Sequence, residues 1–361
     1  MIRVAFYAPM KPPTHPNPSG DREMARSLMK AIAAGPATVD LVSELRVHDS
    51  AGDPGKQAQL RRLAKVEATR LIHELAATDT RLWVTYHSYY KAPDMIGPTV
   101  ARALNIPYIQ IESSRAKSRL TGPWSEFARE AEAASDSADL IFYLIQLDLQ
   151  TLKRDQTKQQ NLTLLRPFLP ITSLPANTYS SDGPMLAAGM MRKRDKLESY
   201  TVIAETLANL RTPDWRLNIA GDGPARPQVE ALMAPFGDRV QFLGQLDRDG
   251  MNAVYRDAAL FLWPGVNEAY GMVYLEAQAA GLPVMAQDRD GVRDVVLPGV
   301  YPAPEDGALA LARDLDQLLA DPGLRSLRST AGRAMIAESH LIGAATNSFW
   351  SAVHPLLDTN P

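Results

Sequence analysis

The sequence predicts an α/β protein made of two doubly wound, Rossmann-like domains facing each other. Three observations predict it. The chain has 361 residues, a length that suits two domains of roughly 100–200 residues each. Short apolar runs alternate with helical patterns up to about residue 165, and the same alternation restarts at Met185, as parallel sheets joined by helical crossovers require. Between the two runs, Pro167, Pro170 and Pro175 mark a stretch of about residues 167–184 that reads as a linker. The expected division is 1–176, then 177–340, then a C-terminal helix over 341–361.

Val4–Ala8 is apolar and stops at Pro9, the pattern of a buried parallel strand. A proline-rich loop carrying Gly20 follows. Met24, Leu28 and Ile32 then recur at helical spacing, with Asp21 as the expected N-cap. Thr38–Val42 is the next strand, and residues 56–77 form a long helix. Leu82–Tyr86 is a strand ending at His87, Ile96–Leu104 a helix, and Tyr108–Ile111 a strand ending at Glu112. Residues 124–135 are helical, Ala138–Leu144 a strand, Leu147–Arg154 a helix and Leu162–Leu165 a short strand.

The second half repeats the rhythm. Its strands are Met185–Met190, Leu217–Ala220, Val240–Leu243, Ala259–Trp263 and Val284–Ala286. Its helices are Glu198–Leu210, Pro227–Met233, Met251–Ala258 and Met272–Ala280, and residues 307–357 are helical almost throughout.

Composition narrows the function. Hydrophobic residues are 45% and charged residues 22%, the balance of a soluble globular chain. The net charge of −3 gives no basic excess for nucleic acid. With no cysteine, disulfides and thiolate-ligated zinc are excluded. The six histidines never take an H-E-x-x-H spacing. The first apolar run is too short for a signal-peptide core and no run reaches the ~18 residues of a membrane span, so a cytoplasmic location is expected.

The stretch richest in chemistry follows the strand ending at Trp263 and Pro264. It reads Asn267-Glu268-Ala269-Tyr270-Gly271-Met272-Val273-Tyr274-Leu275-Glu276-Ala277, and continues through Gly281, Pro283 and Val284. Amides at a helix start lack partners and carry partial positive charge, so they suit a phosphate. Gly271 lets a phosphate approach the backbone closely. A carboxylate accepts two hydroxyl hydrogen bonds at once. Glu276 therefore suits a ribose diol, and Glu268 the hydroxyls of a sugar.

These residues resemble the hallmark of retaining, GT-B-fold glycosyltransferases of family four, also called group 1. That family carries roughly E-G-F-G-x-x-x-L-E-A-x-A-x-G-x-P-V, against E-A-Y-G-M-V-Y-L-E-A-Q-A-A-G-L-P-V here. Leu217–Pro224, with its Gly221-Asp222-Gly223 turn, resembles another family segment, although a plain structural turn is the alternative. Val240–Gly244 resembles the strand that reaches the nucleotide base, so Gly244 joins the expected donor site with Tyr270, Gly271, Met272, Val273 and Glu276.

The resemblance implies a nucleotide-sugar donor, UDP- or GDP-linked, with no metal and no cofactor. It implies an acceptor-side N-terminal domain, a donor-binding C-terminal domain and a last helix crossing back onto the first domain. A leaving diphosphate needs cationic support, which the family draws from a G-R-x-x-x-x-K-G loop. The loop here reads Gly189-Met190-Met191-Arg192-Lys193-Arg194-Asp195-Lys196. Met190 replaces the family's Arg, so Arg192 and Lys196 are the expected pair, with Arg194 in reserve. Asp288-Arg289-Asp290 has the form of a metal-binding D-x-D, but lies where the family has a Gly-Gly-x-Pro-Glu loop, with Gly291 and Asp294 as its remnants.

In the first half, Pro18-Ser19-Gly20-Asp21 matches the family's glycine loop with one glycine, and Gly20 as a simple turn residue is the alternative. Where the family has a histidine near the donor sugar, this chain has Glu112, and His87 is the other candidate. The helix carrying Lys56, Arg61, Arg62, Lys65 and Arg70 is either a solvated face or a weak peripheral contact with anionic lipid. The acceptor is a saccharide, a lipid-linked group or a small molecule. Two rival functions are a nucleotide-sugar epimerase on the same scaffold and a non-catalytic sugar-binding protein.

Overall fold

The computed structural model of the protein describes residues 1–17, 19–176, 179 and 182–358. Pro18 of the expected glycine loop, four residues of the expected linker (177, 178, 180 and 181) and 359–361 of the last helix lie outside the described residues. The chain forms two compact units, one of Met1–Arg166 with Ile342–Pro361, the other of Pro167–Leu341.

The sheet of the first unit holds β1 (Ile2–Tyr7), β2 (Ala37–Ser43), β3 (Thr80–Tyr86), β4 (Tyr108–Ile111), β5 (Leu140–Tyr143) and β6 (Asn161–Leu164). Their spatial order is β2-β1-β3-β4-β5-β6, and every neighbouring pair is parallel. The apolar stretches Val4–Tyr7 and Leu82–Val84 are fully buried because helices cover the strands on both faces. The helix Gly20–Ala33 is capped by Ser19, whose hydroxyl accepts the Arg22 amide. Asp21, the expected cap, lies one position inside the helix and has another partner.

The last helix, Ile342–Asp358, packs on this same unit. Phe349 stacks on Phe142 with centroids 5.4 Å apart. The indole of Trp350 donates to the Ile32 carbonyl at 3.1 Å, and Thr346 to Ala31 at 2.8 Å. Gly35 must lack a side chain there, since a Cβ would lie 2.0 Å from Trp350 Nε1.

The sheet of the second unit holds β7 (Met185–Ala188), β8 (Leu217–Ala220), β9 (Val240–Gly244), β10 (Leu260–Leu262) and β11 (Val284–Met285). Their order is β11-β10-β7-β8-β9, again all parallel. The division between units falls after Arg166, ten positions before the expected 176. The proline-rich stretch is stitched to the second unit: the Leu169 amide donates to His340 O at 2.8 Å, and His340 Nδ1 lies 2.6 Å from Pro167 O.

Both sheets reverse their winding once. In the first unit the reversal falls between β1 and β3, in the second between β7 and β10. Open α/β sheets bind ligands at such switch points, outside the carboxyl ends of the strands. Among the described residues no helix is long and apolar enough to cross a membrane.

Candidate active site

In the second unit, the loop after β7 and the loop after β10 meet at the switch point. Lys196 lies in the first turn of the helix Asp195–Ala208, and its ammonium is ion-paired with Glu268. The Trp263 indole donates to the same carboxylate oxygen at 2.9 Å. The ammonium also sits over the Trp263 ring, 5.3 Å from its centroid. Trp263 is fully buried and held edge-on by Tyr200 at 5.2 Å. Glu268 is thus fixed by two donors while its side chain keeps 12% exposure, enough to meet a ligand.

The local backbone explains why Glu268 stands there. Asn267 takes a left-handed φ of 49° and its amide side chain bonds Asp195 at 2.9 Å. This ties the β10 loop to the start of the helix carrying Lys196. Gly291 closes the other side: a Cβ would lie 1.9 Å from the Ala269 carbonyl, so glycine alone lets the two loops touch.

The helix Met272–Ala279 then begins without a side-chain cap. Gly271 is its N-cap in the left-handed region at φ 63°, and a Cβ there would come within 2.9 Å of two Tyr274 ring carbons. The amides of Met272 and Val273 at the first turn carry the helix's positive end. Tyr270, Met272 and Val273 are half-buried around it. Leu275 and Ala277 face the core, Gly281 turns left-handed at φ 97° to end the helix, and the chain enters β11. Most of the motif therefore builds the helix, and Glu268, Gly271 and Glu276 are left for chemistry. Glu276 keeps an exposed carboxylate and accepts the Tyr255 hydroxyl at 3.1 Å. Crowding by protein raises its carboxyl above the ordinary range, against the opposing pull of Tyr255 and Arg248.

The Gly221-Asp222-Gly223 turn is a buttress. Cβ atoms would lie 2.0 Å from Gly189 O and 2.5 Å from Met191 O. The Met191 amide donates to Asp222 O at 2.9 Å, so the turn anchors the basic loop. Gly244 ends β9 at φ 71°, and among the described residues Arg226 Nη1, 3.9 Å off, is all that borders the place of a Cβ apart from its chain neighbours. Arg192 stands apart from the Glu268 cluster: it is exposed and its Nη2 donates to Met190 Sδ at 3.1 Å. Arg194 is the exposed N-cap of its helix, at φ 69°. Asp288 and Asp290 both bond Arg293. Arg289, between them, was not singled out by its sequence context; it is half-buried and bonds Gln287 Oε1 through Nε and Nη2.

The switch point of the first unit brings together His87, at the end of β3, and Asp21, after β1. His87 Nδ1 lies 3.0 Å from Asp21 Oδ1, which requires the proton on Nδ1. Burial alone would lower the His87 pKa, but Glu112 and then Asp21 raise it above the ordinary value. Burial alone would raise Asp21, but the His87 bond holds it below the ordinary range. His87 and Glu112 share a departure from strand geometry, with left-handed φ of 59° and 56°, a conformation uncommon outside glycine and concentrated at functional sites. Gly20 opens the helix that carries Asp21, and among the described residues nothing beyond its chain neighbours and its own helix backbone lies within 4 Å of the place a Cβ would take there. In the basic helix, Arg61 pairs with Glu126, and Arg70 with Glu67 and Glu74.

Residues 185–321 match the family described as "Glycosyl transferases group 1". A D-inositol 3-phosphate glycosyltransferase of Streptomyces bingchenggensis is 36% identical over 39% of this chain and 34% of its own. A 2-deoxystreptamine glucosyltransferase of Streptomyces kanamyceticus is 36% identical over 35% of this chain and 33% of its own. These alignments span about a third of the length of either relative. A D-inositol 3-phosphate glycosyltransferase of Frankia alni is 27% identical over 74% of this chain and 70% of its own. Among solved structures, sucrose-phosphate synthase from Thermosynechococcus elongatus superposes with TM-score 0.73 at 19% identity, over 100% of both chains. Anabaena HepE in complex with UDP-glucose superposes with TM-score 0.67 at 13% identity, over 98% of this chain and 100% of its own. These two likenesses concern the fold alone.

Proposed function

Because the chain belongs, through residues 185–321, to the group 1 glycosyltransferases, we propose that it moves a glycosyl group from a nucleoside diphosphate sugar to an acceptor hydroxyl. The reading includes retention of anomeric configuration, no metal and no cofactor, a UDP- or GDP-linked donor on the second unit, and the acceptor on the first. The observation that carries it is the Lys196–Glu268 pair beside the uncapped helix at Gly271.

When the anomeric C–O bond breaks, negative charge grows on the departing diphosphate. The Met272 and Val273 amides and the Lys196 ammonium oppose that charge, with Arg192 approaching from the exposed loop. Lys196 exchanges Glu268 for phosphate as the donor enters. Glu268, still held by Trp263, then accepts hydroxyls of the donor sugar, and Glu276 accepts the ribose diol. In a retaining transfer the acceptor proton passes to the leaving phosphate on the face of departure, so no protein nucleophile is needed. His87, with Nδ1 bonded to Asp21, offers its other nitrogen to an acceptor hydroxyl on the first unit. Relatives named as glycosyltransferases support the reading, and so does the fold shared with a protein solved with UDP-glucose.

The test is acceptor-dependent release of nucleoside diphosphate from UDP-, GDP- and ADP-sugars, with and without a chelator. Glu268→Ala is expected to cut release by roughly 10²–10³ while the melting temperature falls by only a few degrees and the chain stays folded. An epimerase would convert the donor with no release, and full activity in Glu268→Ala would remove the assignment.

A further inference from the structure

The loop after β7 carries a sulfur that the transfer mechanism leaves unused. The chain has 13 methionines and no cysteine, so an oxidant that attacks sulfur in it meets a thioether. Among the described residues, Met1 at 89% and Met190 at 49% are the methionines that stand exposed. The others are buried or half-buried. Met190 is therefore the internal thioether most open to solvent, and it lies in the basic loop just before the helix Asp195–Ala208. It also takes the place of the family's arginine.

Met190 is tied to Arg192 twice. Arg192 Nη2 donates to Met190 Sδ at 3.1 Å, and the Arg192 amide donates to the Met190 carbonyl at 2.9 Å. The second bond closes a three-residue turn with Met191 buried at its centre, so the two exposed side chains meet on the solvent side. The backbone beneath them is fixed. The Met191 amide donates to Asp222 O at 2.9 Å, and the Tyr200 hydroxyl to Gly189 O at 2.8 Å. Lys196 has Glu268 for a partner, whereas the Arg192 guanidinium has this sulfur. A thioether is a weak acceptor, so Arg192 leaves it readily for a phosphate. Oxidation reverses that preference: a sulfoxide is polar, and a hydrogen bond to its oxygen from an ionised donor belongs to the stronger class.

We propose that Met190 is an oxidation site that governs Arg192: peroxide converts its thioether to the sulfoxide, whose oxygen holds the guanidinium away from the leaving diphosphate. In that step the sulfur lone pair attacks one oxygen of hydrogen peroxide, an S–O bond forms and the O–O bond breaks. The second oxygen departs as hydroxide and becomes water by taking the proton of the first. Sulfur is oxidised, and peroxide reduced, by two electrons. Arg192 itself is unmodified, and reduction of the sulfoxide by a methionine sulfoxide reductase restores the thioether. The inference rests on the reading that Arg192 supports the departing diphosphate.

The experiment treats the full chain with graded hydrogen peroxide and reads the oxidation of each methionine from peptide masses. Met190 is expected to oxidise several-fold faster than the half-buried Met251 and Met272. Phenylglyoxal, which labels accessible guanidinium groups, is expected to label Arg192 several-fold more slowly after oxidation and at the original rate after reduction. Acceptor-dependent release of nucleoside diphosphate is expected to fall about tenfold, while Met190→Leu keeps its own untreated rate at the same dose. Met190→Gln, which sets an amide oxygen near the place of the sulfur, is expected to be slow without peroxide. Oxidation of Met190 no faster than of Met272, or an unchanged labelling rate at Arg192, overturns the proposal. So does an oxidised chain that transfers as before, or a Met190→Leu variant that peroxide inactivates as it does the parent. If Arg192→Gln transfers normally, the role given to Arg192 fails separately, and if no nucleotide sugar is turned over, the transferase reading fails. The peptide masses and labelling rates still decide the oxidation site in either case.

Discussion

Lys196 and Glu268, 72 positions apart in the chain, close on each other across the switch point of the second sheet, under the indole of Trp263. The pair is partly shielded, with side-chain exposures of 29% and 12%. A double-mutant cycle of Lys196→Ala and Glu268→Ala, read by denaturant unfolding, is expected to give a coupling of about 1 kcal/mol. Strict additivity would mean the two side chains do not hold each other in solution.

Trp263 donates to Glu268 from a fully buried position. Trp263→Phe keeps the aromatic packing and deletes the N–H. Its expected effect is a fall in kcat of about fivefold, the ~1 kcal/mol worth of one hydrogen bond, with donor affinity changed little. A loss confined to KM would instead assign Trp263 to donor binding.

Gly271 sits at φ 63° against the Tyr274 ring. Gly271→Ala adds a left-handed penalty of about 1–2 kcal/mol and forces the ring aside, tilting the first turn of the helix. Both a lower melting temperature and weaker nucleotide binding are expected. An alanine variant that binds nucleotide as tightly as the parent would show that the bare amides are not the phosphate site.

His87 titrates above its ordinary value through Glu112 and Asp21. A raised folded-state pKa means that the charged form stabilises the fold. That stabilisation is fully present below the unfolded value of about 6.5 and is lost as pH rises through the folded value. His87→Gln should therefore cost stability at pH 5.5 and nothing well above the folded pKa. Titration of the His87 ring protons by NMR should also show the pKa fall in Asp21→Asn. A pKa unmoved by that substitution would break the dyad.

Much of the fold could be read from local pattern. The parallel strands announce themselves as apolar runs ending in Pro9, His87, Glu112 and Pro264, and glycine and proline punctuate the crossovers. The motif from Glu268 to Val284 marked the candidate site because its spacing is local to one loop and one helix. What stayed hidden depends on partners distant in the chain. Asp21 looked like a helix cap because acids near helix starts usually are, but Ser19 caps the helix and Asp21 reaches His87, 66 positions away. Trp263 read as the end of a buried strand, and only the fold shows its N–H turned to Glu268. The basic loop offered Arg192 and Lys196 as a pair; only Lys196, inside the first turn of its helix, meets Glu268, while Arg192 precedes the helix and is exposed.

Nucleoside diphosphate binding by the full chain, compared with Glu276→Ala and Gly271→Ala, tests the central claim most directly. Thermal shift against UDP, GDP and ADP should reveal one that stabilises the protein, by about 2.7 kcal/mol at a hundredfold excess over Kd, with the effect strongly reduced in both variants. If none of the three raises the melting temperature, or if both variants respond as the parent does, the helix at Gly271 is not a diphosphate site and the transferase mechanism built on it is wrong.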